Sequence, residues 1–314
     1  LSLHDALPIS DTGKTKIFEV GEGGEIINES TGNSASAIQV SGTRYTVNIS
    51  GGEVQSNNFP AIFIYTANNK INVSAGIVHS ENHSAIFSNY SSINVSISGG
   101  LVTNNSNDNP VISLAHNGSS GNNISVSGGR IVAKGGAAAI STHNLVGVTG
   151  GEVLAKNGPA ILLKQNQSGT ANANISGGVV FAYGSAIQGT GNVIQTSGET
   201  GGYSVTGTGV VIAWNRPSQE PRNYDSGTDT NIVKSPSSAT AVWGTQGNDN
   251  GILYTNGNNS GFIPLDVNLN KANVTNSGGS QTVTYAGSTI NLPNLNSLFS
   301  VDANAGTRTY TIES

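Results

Sequence analysis

The sequence predicts an all-β chain, a right-handed parallel β-helix (β-solenoid) of about eight coils. Three observations carry that reading. A glycine-centred phrase, approximately [ST]-G-G-x-[VI]-x-[AS], recurs along the first two thirds of the chain. A second phrase, x-[AV]-I, follows most copies about nine to twelve residues after the glycine marker. The residues around each glycine pair alternate between β-branched and polar types, the period-two pattern of a half-buried strand.

The first phrase reads ISGGEVQS from Ile49, NVSAGIVHS from Asn72, ISGGLVTN from Ile97, VSGGRIVAK from Val126, VTGGEVLAK from Val148 and ISGGVVFA from Ile175. Looser copies are GEGGEI from Gly21 and VTGTGVVIA from Val205. With the second glycine as marker, the series is Gly24, Gly52, Gly76, Gly100, Gly129, Gly151, Gly178 and Gly209, with gaps of 28, 24, 24, 29, 22, 27 and 31. A strand rises about 3.3 Å per residue, so such gaps suit a coil of short strands and bends. One coil cannot bury its own apolar face, but a stack at about 4.8 Å per layer can. Unequal gaps then mean insertions that bulge from a bend while the strands keep register. Parallel crossovers are almost always right-handed, which sets the expected hand. A leucine-rich repeat has a similar period but needs a Leu-x-x-Leu-x-Leu frame that this sequence lacks.

The inward positions follow from phase. Three residues before the marker stand Ile49, Val73, Ile97, Val126, Val148 and Ile175, and two after it Val54, Val78, Val102, Ile131, Val153 and Val180. Four after it stand the small residues Ser56, Ser80, Asn104, Ala133, Ala155 and Ala182. All are expected to face the core. The glycine pair makes a bend, since glycine accepts positive φ without strain. The second phrase is Pro60-Ala61-Ile62, Ser84-Ala85-Ile86, Pro110-Val111-Ile112, Ala138-Ala139-Ile140, Pro159-Ala160-Ile161 and Ser185-Ala186-Ile187. Asn and Ser between these phrases turn corners by bonding their own backbone. Several Asn-x-Ser/Thr sequons, at Asn48, Asn72, Asn82, Asn94 and Asn174, are read as products of this corner chemistry.

Composition agrees with a β protein. Gly contributes 42 of 314 residues, charged residues 10% and aromatics 6%. Gly, Asn, Ser and Thr all disfavour helix interiors. The net charge of −5 offers no basic footprint for nucleic acid. No apolar run approaches the roughly 20 residues of a membrane span. With no Cys there is neither a disulfide framework nor a thiolate nucleophile.

The chain divides into three parts. Residues 1–10, opening LSLHDALPI, resemble the conceptual translation of a sequencing-library adaptor and are set aside, His4 and Asp5 with them. Residues 11–245 form the β-helix, and 246–314 a linker and an incomplete β module. Within the last part, GILYTNGNNSGFIPLDVN from Gly251 has two apolar segments around an Asn/Gly turn. The phrase FSVDANAGTRTYTI from Phe299 resembles the opening strands of bacterial Ig-like modules. The ISGG-x-V and S-A-I phrases over about residues 20–245 resemble the right-handed β-helix repeats of bacterial surface proteins of adhesin type. That resemblance implies extracellular display, secreted or anchored at the cell surface, with signal and anchor expected outside this fragment. It implies host or environmental glycans or surface proteins as partners, and transfers no site residues.

Catalytic chemistry finds little support. Lyases of this architecture need clustered acids and a nearby base, and hydrolases need paired carboxylates. Acids in the coils are sparse, and the equivalent pair Glu25 and Glu53 gives way to Ile77 and Leu101 in the next two coils. Arg130 and Glu152 share that repeat position and read as a cross-strand ion pair. His79, His83, His116 and His143 read as histidines of outward bends; no metal or cofactor is expected. Aromatics are the best binding hint: Tyr65, Tyr90, Phe181 and Tyr183 are the candidates for stacking on a sugar ring, with Phe87, Trp214 and Trp243 also considered. The expectation is a non-catalytic stalk or adhesin-like display scaffold. The alternatives are a carbohydrate-binding module and, behind it, a polysaccharide lyase or glycoside hydrolase.

Overall fold

The six middle repeats, from Tyr45 to Tyr183, fold alike. A computed structural model of the chain describes residues 7–9, 16–30, 35–116, 121–165, 171–184, 186–197, 201–215, 232–247, 249–264, 274–276 and 299–301. Each middle repeat is one long strand bent at its glycines, followed by one short strand. The long strands are Tyr45–Ser56, Lys70–Ser80, Asn94–Asn104, Asn123–Ala133, Leu145–Lys156 and Ala171–Tyr183. The short ones are Ile62–Ile64, Ile86–Ser88, Ile112–Leu114, Ile140–Thr142, Ile161–Lys164 and Ile194–Ser197. We number these coils 2 to 7. Coil 1 is Lys16–Val20, Glu25–Asn28 and Ile38–Val40, and coil 8 is Gly201–Val205 with Val210–Trp214.

Long strands stack only on long strands and short on short, in parallel, giving two sheets that close a β-solenoid of about seven turns. Among the described residues the eighth coil contributes only its long strand. Leu7–Ile9 also pairs in parallel, with Ile38–Val40, so the segment set aside as adaptor-like includes a strand at the edge of the short-strand sheet.

The inward positions are those the phase requires. The ladders Ile49, Val73, Ile97, Val126, Val148, Ile175 and Val54, Val78, Val102, Ile131, Val153, Val180 are fully buried. Each such side chain contributes about 1.5–3 kcal/mol by leaving water. Ile62, Ile86, Ile112, Ile140 and Ile161 line the third wall, also fully buried. Coil 1 carries an unanticipated copy of the second phrase, Ser36-Ala37-Ile38, and Ile38 stacks on Ile62. In coil 7 the phrase misleads: Ile194 stacks on Ile161, and Ile187 lies seven residues earlier, before a turn of helix at Thr190–Val193.

The two glycines of the bend are needed for different reasons. The second has φ between +64° and +76° at Gly52, Gly76, Gly100, Gly129, Gly151 and Gly178. The first lies against the coil below: a Cβ on Gly128 would come 2.3 Å from the Ser98 carbonyl oxygen, and on Gly150 2.4 Å from that of Ser127. Coil 3 has Ala75 in that place. At both ends the bend is made differently. Positive φ falls on Gly23 rather than Gly24, and on Gly207 rather than Gly209, and a turn splits the long strand in two.

Corners use neighbouring coils as well as their own backbone. The Asn69 side chain donates to the Thr66 carbonyl at 2.8 Å, and its oxygen accepts the Tyr45 N–H of the coil below at 2.8 Å. Asn122 likewise accepts from Ile93 N–H at 2.9 Å. On the outside, Asn72 donates to Asn48 at 2.9 Å and Ser125 to Ser96 at 3.1 Å, so the sequon residues Asn48 and Asn72 stand in a stacked polar ladder.

Beyond the coils, Ile232–Ser235 pairs antiparallel with Val210–Trp214. Thr240–Gln246, Asp249–Asn256 and Asn259–Pro264 then form an antiparallel sheet. The expected division at residue 245 falls inside the first of these strands. Val274–Asn276 pairs with Phe299–Val301; the remainder of the Ig-like phrase lies outside the described residues.

Candidate binding surfaces

The long strand's second arm has an outward ladder at the third residue after the marker: Gln55, His79, Thr103, Val132, Leu154, Phe181, Ile212. From Val132 onward it is apolar because the antiparallel sheet lies over it. Phe181, Ile212, Trp214, Ile252, Tyr254 and Ile263 form a second buried cluster, with Tyr183 and Trp243 packed against it. The rings of Phe181 and Tyr183 stack at 5.7 Å, and those of Trp214 and Trp243 meet at 5.1 Å. Phe181 is outward-phased as expected but only 1% exposed. It is therefore not available for sugar stacking, and half-buried Tyr183 is engaged beside it.

Tyr65 and Tyr90, the other two candidates, are 40% and 41% exposed. Tyr65 packs on Phe63 at 4.0 Å, and Phe63 on Phe59 and Phe87 at 5.6 and 5.3 Å. His83 touches both Phe59 and Phe87. This aromatic patch sits outside the short-strand sheet of coils 2 and 3, where Phe63 and Phe87 are in register. Phe59, Phe63 and His83 were not anticipated as its members. Their signal was the outward phase of residue 63 between the inward Ile62 and Ile64.

A polar cluster lies nearby on the second arm. His79 is in the strand Lys70–Ser80, not in a bend, with its Nε2 3.2 Å from the Glu81 carboxylate. Asn105 donates to the same carboxylate oxygen at 2.8 Å. Burial holds the His79 imidazole and the Lys134 ammonium below their ordinary values, and the Asn105 hydrogen bond lowers the Glu81 carboxyl. His83 is lowered by burial too. His143 contacts the Gln165 carbonyl oxygen at 2.7 Å. Among the described residues no group of three or more His, Asp or Glu is placed to hold a metal ion.

The Arg130–Glu152 pair forms as the register requires, Nε to Oε2 at 2.7 Å, both side chains half-buried. Such a pair contributes about 0.2–1 kcal/mol. Glu25 and Glu53 are also in register. Glu152 borders an open cleft of about 380 Å³ between the bends of coils 6 and 7 and the Asp249–Pro264 hairpin. Its floor is the backbone of Gly150, Gly151 and Gly178; Thr149, Thr208, Tyr254, Asn258 and Asn259 complete it. The hairpin is held there by amides. Asn259 donates to the carbonyls of Gly178 and Thr208 at 2.9 and 2.7 Å, and Asn256 to that of Gly209 at 3.0 Å.

Comparison of the chain with protein-family models, with curated proteins and with solved structures gives no match. No helix among the described residues is long and apolar enough to cross a membrane.

Proposed function

We propose that the chain is a non-catalytic extracellular scaffold, a stalk or adhesin-like display module. The supporting observation is the continuous parallel stacking of both sheets through coils 2 to 7, in register on each side of a bulged glycine bend, with constant inner residues and variable outer ones. A body of this kind transmits force along its stack and offers its outer ladders as an adaptable surface. The second reading, a carbohydrate-binding module, is favoured by the partly exposed aromatic patch around Phe63 and Tyr65. Aromatic faces with neighbouring amides suit the apolar faces and hydroxyls of sugars.

The test is to incubate the chain with plant, mucin and bacterial polysaccharides and read both protein depletion and newly released reducing or unsaturated ends. Neither signal is the outcome expected of a stalk or a protein-binding adhesin. Depletion without product moves the assignment to carbohydrate binding. Release of product overturns the non-catalytic reading.

A further inference from the structure

The cleft at the hairpin is the place where chemistry from separate elements converges, and its lining is specific. One wall is the Glu152 carboxylate, paired with Arg130 at 2.7 Å just outside the lining, so the site presents carboxylate acceptors. Tyr254 also lines the cleft. The residue is only 6% exposed, and burial together with the Glu152 charge pushes its phenol up to about 12. The hydroxyl therefore stays protonated and keeps a proton to donate throughout the neutral and mildly alkaline range. Threonine hydroxyls at 149 and 208 and the exposed Asn258 amide add groups that both donate and accept or do each from separate atoms.

Close packing requires two glycines at the cleft and beside it. A Cβ on Gly178 would come 2.5 Å from the Gly151 carbonyl oxygen, so the floor stays bare backbone. A Cβ on Gly261, across the hairpin from Tyr254, would come 2.7 Å from the phenol oxygen, so glycine there makes room for that hydroxyl. The Asn259 bonds to Gly178 and Thr208 fix the hairpin against the coils. The cleft, of about 380 Å³, is open to solvent and lined mainly by polar groups.

We propose that this cleft binds one neutral pyranose unit of a glycan through its hydroxyls. The Glu152 carboxylate would accept from two adjacent hydroxyls, and the Tyr254 phenol would donate to a third or to the ring oxygen. An uncharged ligand carrying both donors and acceptors matches a lining that has both and whose one charge, on Glu152, is already paired with Arg130. An anionic sugar meets Glu152 unfavourably, and an ammonium competes with Arg130 for it. The ligand class rests on the carbohydrate reading, while the location is independent of the aromatic patch.

The full chain is titrated with methyl glycosides of glucose, galactose, mannose and N-acetylglucosamine, by calorimetry and saturation-transfer NMR. At least one glycoside binds saturably and equally at pH 7 and pH 9, and Tyr254→Phe and Glu152→Gln each weaken it about tenfold. Tyr65→Ala leaves it unchanged. The fluorescence of Trp214 and Trp243, in the cluster that holds Tyr254, reports that the variants keep the hairpin docked. Asn258→Ala, at the exposed hairpin tip, repeats the test if Tyr254→Phe loosens it. Binding that survives these substitutions but is lost in Tyr65→Ala overturns the cleft and keeps the carbohydrate reading. No binding by any glycoside or polysaccharide overturns both.

Discussion

Coils 2–4 and coils 5–8 share one inner wall but differ on the outside of the second arm. Gln55, His79 and Thr103 occupy the outward ladder in the first group, and Val132, Leu154, Phe181 and Ile212 in the second. The corner position changes at the same place, from Ser56, Ser80 and Asn104 to Ala133, Ala155 and Ala182. In the early coils these polar residues hold the loop: Ser80 donates to the Phe59 carbonyl at 3.0 Å and Asn104 to that of Asn109 at 2.6 Å. In the later coils the outer ladder is covered by a sheet more distant in sequence. The inner wall is thus dictated by the coil itself, and the outer one by whatever lies against it.

The largest expected effect concerns what the two groups have in common. Val78→Asp and Val153→Asp each place an uncompensated charge in the stack, both sites being fully buried. Each should abolish the cooperative unfolding transition seen by circular dichroism in urea. A variant with an unchanged midpoint would refute the inward assignment in its group.

Next comes the outer ladder, where the groups should part. Phe181→Ala removes a buried ring and should cost about 3–5 kcal/mol. His79→Ala, at the equivalent position but outside the cover of the described antiparallel sheet, should cost well under half of that. Equal losses in the two urea midpoints would mean that the antiparallel sheet does not cover the later coils.

The smallest effect is one of pH and belongs to the early coils. Burial keeps the folded His79 below its ordinary value near 6.5, so the unfolded chain takes up a proton first as pH falls. Stability should therefore decline as pH drops through that value towards the folded one. Lys134 and Glu81 face this imidazole with opposite charge effects, the lysine lowering and the glutamate raising it. Glu81, also lowered, holds its contribution above its ordinary value near 4.5 and loses it on further acidification. His79→Gln should flatten the first part of the decline in a series of thermal midpoints; an unaltered slope would assign it to other groups.

Repetition made the coils readable. Six copies of a bend place Val54 or Val153 without reference to anything far away, because each depends only on its neighbours above and below. The ends lose that redundancy, and there the left-handed glycine moves to Gly23 and Gly207, and Ile194 replaces Ile187. The Asn/Gly turn of the C-terminal hairpin was also legible, being local. Its docking was not, since nothing in the hairpin names its partner. The available sign lay on the coils: a run of four apolar residues at an outward position means a cover. Phe181 taken alone suggests a sugar platform, whereas Phe181 between Leu154 and Ile212 suggests a buried seam. For the cleft, Glu152 was legible as the partner of Arg130, but Tyr254 reaches it only through the docking.

The strand Ile232–Ser235 at the last rung has a meaning beyond stability. A stack of identical layers is a one-dimensional crystal, and its terminal layer is a growth face that templates the next. A parallel layer would renew that face in the same polarity, so that a second molecule could add to it and a fibre lengthen. An antiparallel strand reverses the polarity and leaves a surface that no longer matches the lattice. On the second arm of the long-strand sheet, four residues close this end in the opposite polarity.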